Sequence, residues 1–129
     1  MKIFRIVCLL SFFVFGGSFV SYAQSYKAYM KAGEKATRLN DFYAAMQYYQ
    51  EALTKKPKSV EAQFKYAEVA RQFNSFEKSI KYYKKVIKHK EGKQYPLAAF
   101  HLGTVLKQMG EYEKAKSAWE AHTNKFKLC

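Results

Sequence analysis

The chain has 129 residues with 23 lysines and arginines against 10 aspartates and glutamates, a formal net charge of +13 that favours anionic or acidic partners. Its 2 cysteines, Cys8 and Cys129, stand near opposite ends of the chain, which excludes an internal disulfide framework and leaves packing to supply the stability.

The first residues read as a leader. Lys2 and Arg5 form a positive n-region, "IVCLLSFFVF" (6–15) an apolar h-region, and Ser21 and Ala23 place small residues at the two recognition spots before a cut. Residues 1–23 are therefore expected to be a signal peptide cleaved between Ala23 and Gln24. A membrane anchor is the weaker alternative, because Ser11, Gly16, Gly17 and Ser18 interrupt a stretch that falls short of the roughly 20 apolar residues a spanning helix needs. Cys8 lies too early for a lipid-modified N-terminus. The expectation is an exported, periplasmic protein, with association to the outer membrane left open. Residues 24–129 would form one small domain with a modest core, and Cys129 would carry its remaining thiol.

From Tyr26 onward, apolar residues recur at helical spacing over 26–38, 42–54, 60–72, 76–89, 96–109 and 112–126. Asn40-Asp41, Asn74-Ser75 and Gly110-Glu111 punctuate three pairs from within, while "KKPKS" (55–59) and "KEGKQYP" (90–96) separate one pair from the next. The pairs are copies of one unit. "DFYAAMQYYQEALTKKP" (41–57), "SFEKSIKYYKKVIKHKE" (75–91) and "EYEKAKSAWEAHTNKFK" (111–127) repeat an aromatic, small, aromatic pattern at offsets of 34 and 36. Gly33, Ala67 and Gly103 recur midway along each first helix, where a minimal side chain allows a close helix crossing. Ala45, Ser79 and Ala115 supply the matching small contact on each second helix, and Tyr49, Tyr83 and Trp119 are expected to fill the space between neighbouring pairs.

Over these positions the chain resembles the tetratricopeptide repeat family. Tyr29, Ala32, Gly33, Ala36, Ala45, Tyr49, Ala52 and Pro57 fall in the slots of the 34-residue pattern W-x2-L-G-x2-Y, A-x3-F, P. Gln63, Tyr66, Ala67, Ala70, Ser79, Tyr83 and Val86 follow in the second copy, and Ala99, Leu102, Gly103, Leu106, Ala115, Trp119 and His122 in the third. Glu91 and Lys127 replace the closing proline, and His122 takes a slot held by Ala52 and Val86. The resemblance implies an all-α fold, a right-handed α-solenoid of three helix-turn-helix units over 26–59, 60–93 and 96–129, with Gln94 and Tyr95 inserted before the last. Met46, Leu53, Ile80 and Ile87 form apolar pairs suited to receive a following repeat. The same slots hold Lys116 and Thr123 in the third unit, so the array is expected to stop there. The leader, "YMKAGEKA" (29–36) and the tyrosine-rich second helices also resemble the N-terminal repeat region of OmpA-family envelope proteins, including components linked to type IX secretion. That resemblance implies an envelope assembly as the setting.

The resemblance turns one side of each first helix toward a concave groove, which makes protein binding the expected function. Met30, Phe64 and Phe100 would form an apolar column there, flanked by Glu34, Arg38, Glu68, Arg71, His101, Thr104 and Lys107. In related domains that clamp a C-terminal carboxylate, lysines, asparagines and an arginine line the groove. Met30, Glu34, Leu97 and His101 stand at several of those slots, so carboxylate clamping is not expected. The competing site is a basic patch of Lys78, Lys81, Lys84, Lys85 and Lys88, which suits an anionic envelope surface or polymer and allows peripheral membrane association. Arg38 and Arg71 are the arginines beyond the leader, so forked phosphate recognition is weakly served. With export, this argues against nucleic acid. His89, His101 and His122 are scattered over different units without further ligands at metal-binding spacing, and no nucleophile, carboxylate pair or phosphate loop is legible. No catalysis, metal or cofactor is expected.

Overall fold

The computed structural model of the protein describes residues 17–127; the apolar stretch 6–15, with Cys8, and the terminal Cys129 lie outside them. The chain forms α1 (Gly17–Arg38), α2 (Phe42–Lys55), α3 (Val60–Gln72), α4 (Phe76–Lys88), a 3-10 helix (Lys90–Gln94), α5 (Leu97–Gln108) and α6 (Tyr112–Lys127). Helix ends fall within one residue of those the periodicity predicts, with one exception. Helix α1, described from Gly17, runs through the expected cut after Ala23; Tyr26 and Met30, which belong to the first core, lie beyond that cut. No strand occurs among the described residues, and none of the described helices is long and apolar enough to cross a membrane.

Each helix packs most extensively on its own pair partner, α1 on α2, α3 on α4 and α5 on α6, and then α2 meets α3 and α4 meets α5. All three pairs turn through the same hydrogen-bonded motif. Asn40, Asn74 and Gly110 take left-handed backbone angles, with φ of 57°, 60° and 80°. The next residue donates its N–H five positions back: Asp41 to the Ala36 carbonyl at 3.0 Å, Ser75 to Ala70 at 2.8 Å and Glu111 to Leu106 at 2.9 Å. This closure satisfies carbonyls that a helix end would otherwise orphan, and it reverses the chain in the fewest residues. Asp41 then caps α2 by accepting from the Ala44 N–H at 3.0 Å, as Ser59 caps α3 by accepting from Ala62 at 3.2 Å.

The recurring small residues act differently from expectation. A Cβ added at Gly33 would lie 2.6 Å from the Tyr49 ring, and one at Gly103 would lie 2.3 Å from the Trp119 indole. The missing side chains thus seat an aromatic ring of the same pair, so Tyr49 and Trp119 fill their own pair and not merely the space between pairs. Ala45, Ser79 and Ala115 are buried as expected. His122, the departure from the repeat pattern, reaches back to the Pro96 carbonyl at 2.9 Å and so ties α6 to the start of α5. The separator after α4 is more ordered than its composition suggests. It winds into the 3-10 helix, whose Gly92 is buried against the Val86 carbonyl.

Two apolar clusters result. The first joins α1, α2 and one side of α3 through Met30, Met46, Tyr49, Leu53, Tyr66 and Val69. The second joins the other side of α3 to α4, α5 and α6 through Val60, Ala67, Tyr83, Val86, Val105 and Ala115. Tyr82 packs against both.

Candidate partner-binding groove

The first helices α1, α3 and α5 carry the expected column, but its three members are not equivalent. Met30 is 7% exposed and belongs to the first core, so its expected place in a binding strip is corrected. An unbranched, adaptable apolar side chain suits that core, whose other members include Tyr26 and Tyr49. Phe64 is half-buried, edge-on to Tyr83 at 6.3 Å between ring centroids and tilted on Tyr95 at 4.7 Å. Phe100 is 45% exposed, with its ring 5.8 Å from that of His101 and 5.9 Å from that of His122. The apolar strip therefore rises out of the core along the array and reaches solvent at Phe100. Tyr95, which covers one side of Phe64, comes from the two-residue insertion between units, and the register of the repeats gives no reason to assign it there.

The flanking charges were expected to face a partner, and several instead face each other. Glu68 sits at the meeting point of α3, α4 and α5. Its Oε1 accepts from the Tyr83 hydroxyl and from His101 Nδ1 at 2.5 Å, and its Oε2 accepts from the Arg71 guanidinium at 3.0 Å. Arg71 Nε also donates to the Tyr83 hydroxyl at 3.3 Å. Burial pushes the Glu68 carboxyl upward, yet the bonds from His101, Tyr83 and Arg71 outweigh it and hold the group below the usual carboxylate range. Burial first, and then the neighbouring Glu68 charge, raise the Tyr83 hydroxyl far above its ordinary value. That phenol stays a neutral donor at any physiological pH. Glu68, Arg71 and His101, expected to flank the groove for a partner, thus satisfy one another and pin three helices together. Glu34 is likewise spent on Lys65 of α3, at 2.8 Å. Thr104 donates to the Phe100 carbonyl at 3.1 Å, while Arg38 and Lys107 are exposed.

The lysines of the basic patch lie along one helix. Lys78, Lys81, Lys84, Lys85 and Lys88 are all exposed on α4, and the ion pairs of the described residues use none of them. No group of three metal-ligating side chains gathers among the described residues.

The tetratricopeptide repeat family matches over residues 60–91 and 98–120. No curated protein matches the sequence. Among solved structures, a crystal structure of MamA superposes with a TM-score of 0.73 at 21% identity, over 80% of this chain and 59% of that one. A second MamA structure gives 0.47 at 22% identity, over 79% and 73% of the two chains. The chain thus spans about 59% of the length of the first of these relatives, and the likeness fixes the fold. Residues 26–59, outside the matched segments, form the same helical pair closed by the same turn. Residues 60–91 and 98–120 match tetratricopeptide repeats, and the described residues form an all-helical solenoid of that type.

Proposed function

We propose that the protein is an exported adaptor which captures a segment of a partner protein in the cell envelope on the first-helix face of α3 and α5. The observation that carries this reading is Phe100, a large ring 45% exposed on α5 against His101 and His122, at the place in its repeat that the half-buried Phe64 takes on α3. A few aromatic anchors commonly carry most of a binding free energy, and the exposed Arg38 and Lys107 would select the charge of the bound segment. Export rests on the leader sequence, with cleavage between Ala23 and Gln24. The further step, an OmpA-like or type IX secretion assembly as the setting, rests on sequence resemblance alone, and neither the family match nor the likeness to MamA adds to it.

The second reading is an electrostatic binder of an anionic envelope polymer or membrane surface, favoured by five exposed lysines outside every described ion pair. The readings separate by mutation and salt. Capture of an envelope partner, identified by mass spectrometry, should be lost in Phe100→Ala at an unchanged melting temperature and persist as salt rises. Capture that survives Phe100→Ala but falls steeply with salt would transfer the function to the α4 lysines.

A further inference from the structure

The two junctions between neighbouring pairs follow one plan and are filled differently. At the first, Tyr66 of α3 and Tyr82 of α4 pack ring on ring with centroids 4.6 Å apart, and Leu53 of α2 is 5% exposed in the same core. Lys85 and Lys81 hold their Nζ atoms over the Tyr82 ring, 4.9 Å and 6.0 Å from its centroid. At the second junction the corresponding positions hold Leu102 for Tyr66, Ala118 for Tyr82 and Ala121 for Lys85. Both phenol rings are gone. In their place is a cleft of about 470 Å³ lined by α4, α5 and α6, into which Ile87, the counterpart of Leu53, is 39% exposed.

We propose that this cleft receives the aromatic side chain of an acidic partner segment, a tyrosine or phenylalanine flanked by carboxylates. The first junction shows what the geometry accepts, an aromatic ring laid on the second-helix face; the two lysines over that ring give way here to Ser117 and Ala121, and lysine charge reaches the cleft from Lys84 and Lys114 instead. The volume falls within the roughly 300–1,000 Å³ of ordinary binding pockets. The polar groups on the lining choose the class of partner. Lys84 and Lys114 stand on it beside Glu113, with the rest of the α4 lysines along the same helix, and Lys114 is committed to the exposed Glu111 at 2.8 Å. Ring-face attraction to lysine and pairing of lysine with carboxylates act together on an acidic aromatic segment. An aliphatic occupant would use neither. The cleft is lined by α4, α5 and α6 and its lining includes neither Phe64 nor Phe100, so its test is distinct from that of the groove.

The test uses the purified, isotope-labelled protein and two probe peptides, acetyl-Asp-Glu-Tyr-Glu-Asp-amide and the same peptide with alanine at its centre. The tyrosine peptide should shift the amide signals of Ile87 and Ala118 saturably, and should bind at least about tenfold more tightly than the alanine peptide, a difference of roughly 1.4 kcal/mol. Ala118→Tyr should refill the cleft from within, abolish that preference and leave the protein folded. Should Ala118→Tyr fail to fold, Lys84→Glu serves instead and should weaken the tyrosine peptide more than the alanine peptide, because it removes attraction to the ring as well as pairing with the carboxylates; equal weakening of the two would count against the proposal. Equal binding of the two peptides would overturn the proposal in favour of plain charge attraction. Shifts confined to the surroundings of Phe64 and Phe100 would overturn it in favour of the groove, and concentration-dependent shifts at the cleft without peptide would make a second copy the occupant.

Discussion

Gly33 and Gly103 lie in helix interiors, where alanine ordinarily gains about 0.8–1 kcal/mol over glycine. Each faces an aromatic ring closer than a methyl group can stand. Overpacking costs about 1–3 kcal/mol, so Gly33→Ala and Gly103→Ala should lower the melting temperature modestly, the ring yielding part of the way. Gly92→Ala should cost more than either, because its Cβ would lie 1.9 Å from the Val86 carbonyl, and backbone cannot swing aside. Thermal denaturation followed by circular dichroism would rank the three; a midpoint for Gly92→Ala at or above the wild-type value would mean that the 3-10 helix does not sit where it is described. The first two glycines were legible in the sequence because the repeat sets them in register with Ala67. Gly92 was not, since its constraint arises from how a separating turn folds back on the end of α4, and turn composition does not encode that contact.

At the level of helices, the Glu68 cluster decides how α3, α4 and α5 are held relative to one another. Its carboxyl is held below the usual range in the folded protein, so ionised Glu68 contributes stability that is fully present above the ordinary carboxylate pKa of about 4.3 and is lost as pH falls through its own lowered value. Arg71 and His101 face the carboxylate as partners, and Tyr83 faces it as a neutral donor. Glu68→Gln should therefore start from a lower melting temperature at neutral pH and lose less on acidification than the wild type. Parallel curves for the two proteins would show that the cluster does not report on this carboxylate. The sequence placed Glu68, Arg71 and His101 on one side of the first helices, which helical register dictates. It could not say whether those charges face a partner or each other, because that depends on Tyr83, contributed by the second helix of the middle pair. Met30 illustrates the same limit: register aligned it with Phe64 and Phe100, while the packing of the first pair against α3 buries it in the first core.

For the molecule as a whole, the question is whether two apolar clusters make one folding unit or two. Helix α3 gives Tyr66, Val69 and Ala70 to the first cluster and Val60 and Ala67 to the second, and Tyr82 lies against both. In a solenoid each unit contacts its neighbours alone, so stability passes along the array through such shared elements. The fold class and the six helices could be read from periodicity, yet this division of α3 between two cores could not, since both of its sides are apolar in sequence. Leu106→Ala tests the coupling. The residue is buried in the second cluster beside the open cleft, so its loss should sit near the lower end of the roughly 2–5 kcal/mol expected for a buried leucine. If α3 and Tyr82 bind the clusters into one unit, native-state hydrogen exchange of the most protected amides in α2 should speed up by the same factor as in α5, because both open through global unfolding. Faster exchange in α5 and α6 with α2 unchanged would show that the second cluster opens alone, leaving α1, α2 and α3 as an independent unit.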